Sequence, residues 1–285
     1  LQNFAIFVNL GETDSPLPEA LEMILLFESE MEKHADLIRP VRSYADIEQN
    51  QTDGVMSALL TGEEGEITMG NPDFLYFLYK LGMRMMTLTW NYENSLGFPN
   101  VRLDKKASAS SDRYCLSQNK GLKEQGIVFL EEMERLGMII DVSHLSDAGF
   151  YDVLEHTTKP FVASHSNARS VCPAVRNLTD DMVRRLAERG GITGINFCKE
   201  FLGKPDISQN YLDQAVVHMK YLMNLGGEDF VALGSDFDGI TRYHDLSDCS
   251  VMPKLVHTMK KAGLTPTQIE KICYKNTLRV YHELL

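Results

Sequence analysis

The sequence predicts a parallel α/β fold of the (β/α)8, TIM-type barrel class. Three observations carry that expectation. Apolar runs of strand length alternate with amphipathic helical stretches along the whole chain, the order that builds a parallel sheet. Several of these runs (MIIDV at 138–142, GITGINF at 191–197) are continuous rather than alternating, as in strands buried on both faces. The length, 285 residues, suits one such barrel.

Taken in order, residues 4–9 (FAIFVN) read as a strand. Ser15-Pro-Leu-Pro leads into an amphipathic helix over 19–37, and 43–50 is a second helical piece. Residues 54–61 (GVMSALLT) form a strand running into Gly62-Glu63-Glu64-Gly65. Pro72 opens a helix that ends near Gly82, where glycine suits a C-cap. Residues 84–90 (RMMTLTW) are a strand, followed by a polar loop to residue 119 that is long enough to carry function. Helix 122–136 feeds strand 138–142, and 146–155 is the crossover to strand 160–163. Thr179 is a good N-cap for the next helix. Strand 191–197, helix 211–225 and strand 230–233 follow, the last delivering Gly234-Ser-Asp-Phe-Asp-Gly239. Two helices close the chain, the second starting at Thr265-Pro266. The strands number about seven, whereas a closed barrel of this class has eight. The chain therefore reads as one barrel domain over residues 1–285 whose first strand lies ahead of Leu1.

The net charge of -12 with no basic stripe excludes a nucleic-acid partner. No apolar run approaches the roughly 20 residues of a membrane span. Five scattered cysteines without a C-x-x-C pair read as free thiols in a reducing compartment, taken as the cytoplasm. A leader ahead of Leu1 would not be visible in this sequence.

Residues just past the carboxyl ends of parallel strands face the functional side of such folds. Two strands end in Ser-His pairs, Ser143-His144 and Ser164-His165. A lone histidine there is more often a hydrogen-bonded residue than a ligand, but two at matching strand ends point to a shared metal ion. The other strand ends offer Glu63 or Glu64, Trp90, Asp141, Asn196, Asp236 and Asp238. Neutral imidazoles with carboxylates suit zinc or another borderline divalent ion. Asp236 could accept a proton from an attacking water and pass it to a leaving amine. Arg176, in the loop after the second histidine strand, suits a substrate carboxylate or a polarised carbonyl, or equally a loop salt bridge. The remaining histidines (His34, His156, His218, His244, His257, His282) receive no role.

Five segments in order, Leu81-Gly-Met-Arg-Met-Met-Thr-Leu-Thr89, Leu136-Gly-Met-Ile-Ile-Asp-Val-Ser-His144, Ser164-His165-Ser166, Arg176-Asn177-Leu-Thr-Asp-Asp181 and Gly234-Ser-Asp-Phe-Asp-Gly239, resemble the membrane (renal) dipeptidase family over nearly the whole chain. These are zinc peptidases of the amidohydrolase type. The resemblance implies a dipeptidase, often tolerant of a D-residue at the C-terminal position, working through a metal-bridging hydroxide. It implies that His144 and His165 bind one zinc, that Glu63 (Glu64 the fallback) bridges two zincs, and that Asp236 is the catalytic acid/base beside the metals. It makes Arg176 the substrate-binding arginine, with Trp90 and Phe201 lining the pocket. A dipeptide or similar small molecule is the expected partner, and homodimers are common among such barrels. Two departures stand out. The family's His-x-Asp pair for the other zinc is absent ahead of Phe4, so only one ligand set is largely complete. Trp90 replaces a histidine, and Phe201 a tyrosine. The alternatives are a hydrolase of other small amides or lactones, and a non-hydrolytic barrel lacking the second metal.

Overall fold

The computed structural model describes residues 1–103, 114–116, 120–207, 209–242 and 245–285. They form two compact units, Leu1–Thr158 with Tyr281–Leu285, and Lys159–Val280. Both are parallel α/β, as the sequence predicts.

The first unit opens with β1 (Gln2–Phe7), α1 (Pro16–Lys33), β2 (Ile38–Val41), α2 (Tyr44–Asp53) and β3 (Met56–Glu63). It continues with α3 (Pro72–Lys80), β4 (Met85–Thr87), β5 (Val101–Leu103), β6 (Tyr114–Leu116), α4 (Glu124–Leu136), β7 (Ile139–Asp141) and α5 (Asp147–His156). The helices form for visible reasons. α1 buries Ala20, Ile24, Phe27 and Met31, a single face at helical spacing. α2 starts at a reciprocal Ser43–Asp46 capping box and stops at Gly54, which adopts φ 73°. α4 ends the same way at Gly137.

β3 is the organising strand of this unit. β1 pairs along one edge, while β2 and β4 share the other, β2 against Met56–Leu59 and β4 against Thr61–Glu63. β4 in turn pairs with β7. The register lines up Phe7, Glu63, Thr87 and Asp141 in one row across four strand ends. That row positions the site described below. β4 is held from behind by Arg84, which is buried. Its guanidinium donates to the carbonyls of Arg42, Tyr79 and Met83 at 2.7–2.9 Å and lies 4.0 Å over the Tyr79 ring.

The second unit holds β8 (Val162–Ala163), α6 (Asp180–Glu188), β9 (Ile192–Ile195), α7 (Lys199–Leu202), α8 (Tyr211–Gly226) and β10 (Val231–Leu233). α9 (Met252–Lys261), α10 (Pro266–Glu270) and α11 (Asn276–Leu284) follow. β9 pairs in parallel with both β8 and β10. Past the pairing the backbones close in so far that a Cβ on Gly194 or Gly234 would collide with the Ser164 carbonyl. Glycine is required there, and it brings Ser164-His165 beside the turn leading to Asp236.

Four features differ from the sequence expectation. α1 stops at Lys33 instead of reaching residue 37, and β2 occupies 38–41, between the two expected helices, where no strand was expected; its Ile-Arg-Pro-Val is too short and polar to stand out, and Pro40 weakens any strand reading. β3 runs on to Glu63 instead of stopping at residue 61. The loop expected over 91–119 contains the antiparallel β5–β6 ribbon, and residues 104–113 and 117–119 of that expectation lie outside the described residues, as does His244. The last helix is interrupted by a π turn, Lys271–Lys275. Among the described residues no helix is long and apolar enough to cross a membrane, and Cys172, Cys198, Cys249 and Cys273 are free thiols.

Candidate metal ligands and catalytic carboxylate

In the first unit the row of strand ends presents Glu63 and His144 to each other. Nε2 of His144 lies 3.3 Å from a carboxylate oxygen of Glu63. The other ring nitrogen, Nδ1, lies 2.9 Å from Oδ1 of Asn91. An amide oxygen can only accept, so Nδ1 carries the proton and Nε2 keeps its lone pair, the tautomer a metal ligand needs. Asp141 builds the turn that aims the histidine. Its Oδ1 accepts from Ser143 N (3.0 Å) and its Oδ2 from the Thr87 hydroxyl (2.7 Å). Asp141 is thus a buried structural carboxylate and not a candidate ligand.

The sequence left Glu63 and Glu64 as alternatives, and their surroundings separate them. Glu64 is fully buried and accepts from Glu66 N (2.9 Å), Trp90 N (3.0 Å) and the Asn94 side-chain amide. Burial pushes its carboxyl up to about 7, against those hydrogen bonds. Glu63 is therefore the carboxylate that faces the histidine. Trp90 stands beside it, its ring centroid 6.1 Å from His144 and 4.8 Å from Phe7, with Tyr92 at 6.0 Å. These rings make an aromatic wall next to the candidate ligand pair.

In the second unit His165 is buried, with Nδ1 2.7 Å from the Ser164 hydroxyl. A hydroxyl can donate or accept, so this contact, unlike that of His144 with an amide oxygen, does not by itself fix which ring nitrogen is left to bind a metal. Asn196 is wholly buried. Its side-chain amide donates to Oδ2 of Asp236 at 3.0 Å and to the His165 carbonyl at 3.3 Å, joining the two strand ends. Arg176 is buried, with its guanidinium 5.3 Å over the Phe201 ring and Nη1 3.5 Å from the Ser166 hydroxyl. Asp238 is exposed and paired with Arg242 at 2.9 Å, so it takes no part. Cys198 is no nucleophile, because burial and the hydrogen bond to Glu200 push its thiol up to about 12.

Backbone strain falls in the same stretches of chain. Five described non-glycine residues have positive φ: Glu64, Met69, His144, Asp236 and Asp238. All but Met69 lie in the turns that follow β3, β7 and β10. Such conformations cost about 1–3 kcal/mol each and concentrate at functional sites.

The sequence reading missed the groups that orient these side chains. Asn91 is 53 positions from His144, and an asparagine in a loop carries no signal of such a partner. His218, given no role, accepts from Ala168 N (3.1 Å) through Nδ1 and donates to the Leu202 carbonyl (2.9 Å) through Nε2. It pins the segment after His165 to α7. Arg169 donates to the carbonyls of Val175 and Asn177, each at 2.8 Å, shaping the loop that bears Arg176.

The chain matches the family described as Membrane dipeptidase (Peptidase family M19) over residues 1–284. It is 37% identical over 249 residues to an uncharacterized protein of Klebsiella pneumoniae, a stretch covering 86% of this chain and 89% of that protein. It is 36% identical over 205 residues to an uncharacterized dipeptidase of Schizosaccharomyces pombe, covering 71% of this chain and 47% of the longer relative. Among solved structures, a metallopeptidase from Rhodobacter sphaeroides liganded with a phosphinate mimic of the dipeptide L-Ala-D-Ala is similar with a TM-score of 0.85 at 27% identity, over 99% of this chain and 86% of that one.

Proposed function

The chain belongs to the membrane dipeptidase family, peptidase family M19, and we propose that it is a metal-dependent dipeptidase whose zinc ligands include Glu63 and His144 of the first unit, with His165 the ligand candidate of the second. The observation that carries this reading is the His144 pair: one ring nitrogen committed to Asn91, the other 3.3 Å from Glu63. A carboxylate beside a tautomer-fixed imidazole is the donor set of a borderline divalent ion. When bound, such an ion polarises a peptide carbonyl and generates a hydroxide nucleophile near neutral pH.

The protein's own groups supply the rest. Asp236, steadied by the Asn196 amide, accepts a proton from water and returns it to the leaving amine. Arg176, already buried and braced on Phe201, needs little reorganisation to bind a substrate carboxylate with its planar fork. Trp90 stands beside His144, where it lines the substrate pocket. The substrate class is a dipeptide, including one with a C-terminal D-residue, as in the mimic bound by the Rhodobacter relative. The four free thiols support a reducing, cytoplasmic setting.

Substrate class is tested with a panel of L,L- and L,D-dipeptides, N-acyl amino acids and small lactones. Release of free amino acids from dipeptides at a kcat/KM at least tenfold above the other classes is the expected result. Turnover of lactones or N-acyl amino acids without dipeptide cleavage overturns the assignment.

A further inference from the structure

The two glutamates at the end of β3 have different surroundings: Glu63, its last residue, is half-buried beside His144, and Glu64, the next, is fully buried. Glu64 takes φ 141° and places its carboxylate on three N–H donors: Glu66 N, Trp90 N and the Asn94 amide. Asn94 also donates to the Leu88 carbonyl (2.9 Å) and accepts from Leu96 N (2.9 Å) and Gly97 N (3.0 Å). One carboxylate thereby ties the end of β3 to the segment 88–97, from just after β4 to its return. All three partners are neutral donors, so what the contact supplies is position, not charge compensation. Asn91 lies within that segment, and its Oδ1 meets Nδ1 of His144.

We propose that Glu64 is a positioning residue of the metal centre: by fixing segment 88–97 it holds Asn91 on His144 Nδ1 and so keeps Nε2 free of its proton beside Glu63. The proposal rests on the reading of Glu63 and His144 as metal ligands. It also accounts for an expensive choice, a carboxylate buried without a cation, at a position where an apolar side chain would fill the same space. A purely packing role would not require three directed acceptor contacts to the segment that carries the histidine's partner.

The experiment measures zinc affinity of the metal-stripped chain by competition with a chromophoric chelator, with thermal melting of each metal-stripped variant alongside. Asn91→Ala weakens zinc binding about 10- to 100-fold, the range for loss of a group that orients a ligand, without moving the metal-free melting temperature. Asn91→Asp, which keeps an acceptor oxygen on Nδ1, restores the affinity. Glu64→Gln sets an amide against N–H donors and weakens zinc binding by a similar factor. The double variant is no weaker than Asn91→Ala alone, because both act through one contact. A folded Glu64→Gln with wild-type affinity, or additive losses in the double variant, overturns the proposal. Should Glu64→Gln not fold, Asn94→Ser removes one of the three donors and carries the same expectation at a smaller factor; unchanged affinity there overturns it. A wild-type chain that binds no zinc overturns the metal reading itself, a different outcome from unchanged variants of a zinc-binding chain.

Discussion

The side-chain amide of Asn196 donates to Oδ2 of Asp236 at 3.0 Å while its own oxygen accepts from Cys198 N at 2.7 Å, so the carboxylate is aimed by a side chain that is itself locked in place. Asp236 holds φ 62°, a conformation asparagine also tolerates. Asp236→Asn therefore keeps both the hydrogen bond and the backbone and removes only the proton acceptor. The expected outcome is a fall in kcat of about 10²- to 10⁴-fold with an unchanged melting temperature. A variant retaining more than a tenth of wild-type kcat would place the acid/base elsewhere.

Arg176 binds substrate in this account and does not enter the chemistry. Truncation to methionine keeps the packing against Phe201 and deletes the fork. KM should rise about 10- to 100-fold with kcat little changed, the pattern for loss of binding shared by ground and transition states. Lysine should recover only part, since it cannot make the bidentate contact. Steady-state kinetics on one dipeptide decides.

His218 gives the second unit an acid sensitivity. Burial lowers its pKa below the ordinary 6.5, outweighing the pull of the Leu202 carbonyl. The unfolded chain then binds a proton that the folded chain refuses. This contribution to stability is fully present above pH 6.5 and is lost as pH falls from there toward the folded pKa. Gln can accept from Ala168 N and donate to Leu202 O without titrating. Melting temperatures from pH 7 to 5 should fall less steeply for His218→Gln than for wild type; parallel curves would remove His218 as a source of the slope.

Arg84 offers a stability test away from the chemistry. Its guanidinium satisfies three carbonyls behind β4. Arg84→Met should cost about 2–4 kcal/mol, because the carbonyls lose their donor while remaining covered. Urea denaturation reads this directly, and a loss below about 0.5 kcal/mol would mean that water replaces the guanidinium.

The parallel strands were legible because each is an apolar run bounded by turn residues, and most helices because their caps and faces follow the sequence rules. β2 was not, since four residues with a proline and an arginine carry no period. The ligand candidates Glu63, His144 and His165 were readable from strand ends and motif order. Their orientation was not. The Asn91 and Asn196 contacts join positions 53 and 40 residues apart, and such pairings follow from strand register, which no local pattern encodes. Glu64 stood as the fallback to Glu63; its burial and its three N–H donors, which no local pattern encodes, tell the two apart.

The central claim is that hydrolysis depends on a metal held by these residues. The direct measurement is release of D-alanine from L-Ala-D-Ala by the chain as purified, after complete metal removal, and after zinc is restored. The account predicts activity in the first and third states and its loss in the second, with no recovery in His144→Ala. Undiminished release from the metal-free chain would contradict it.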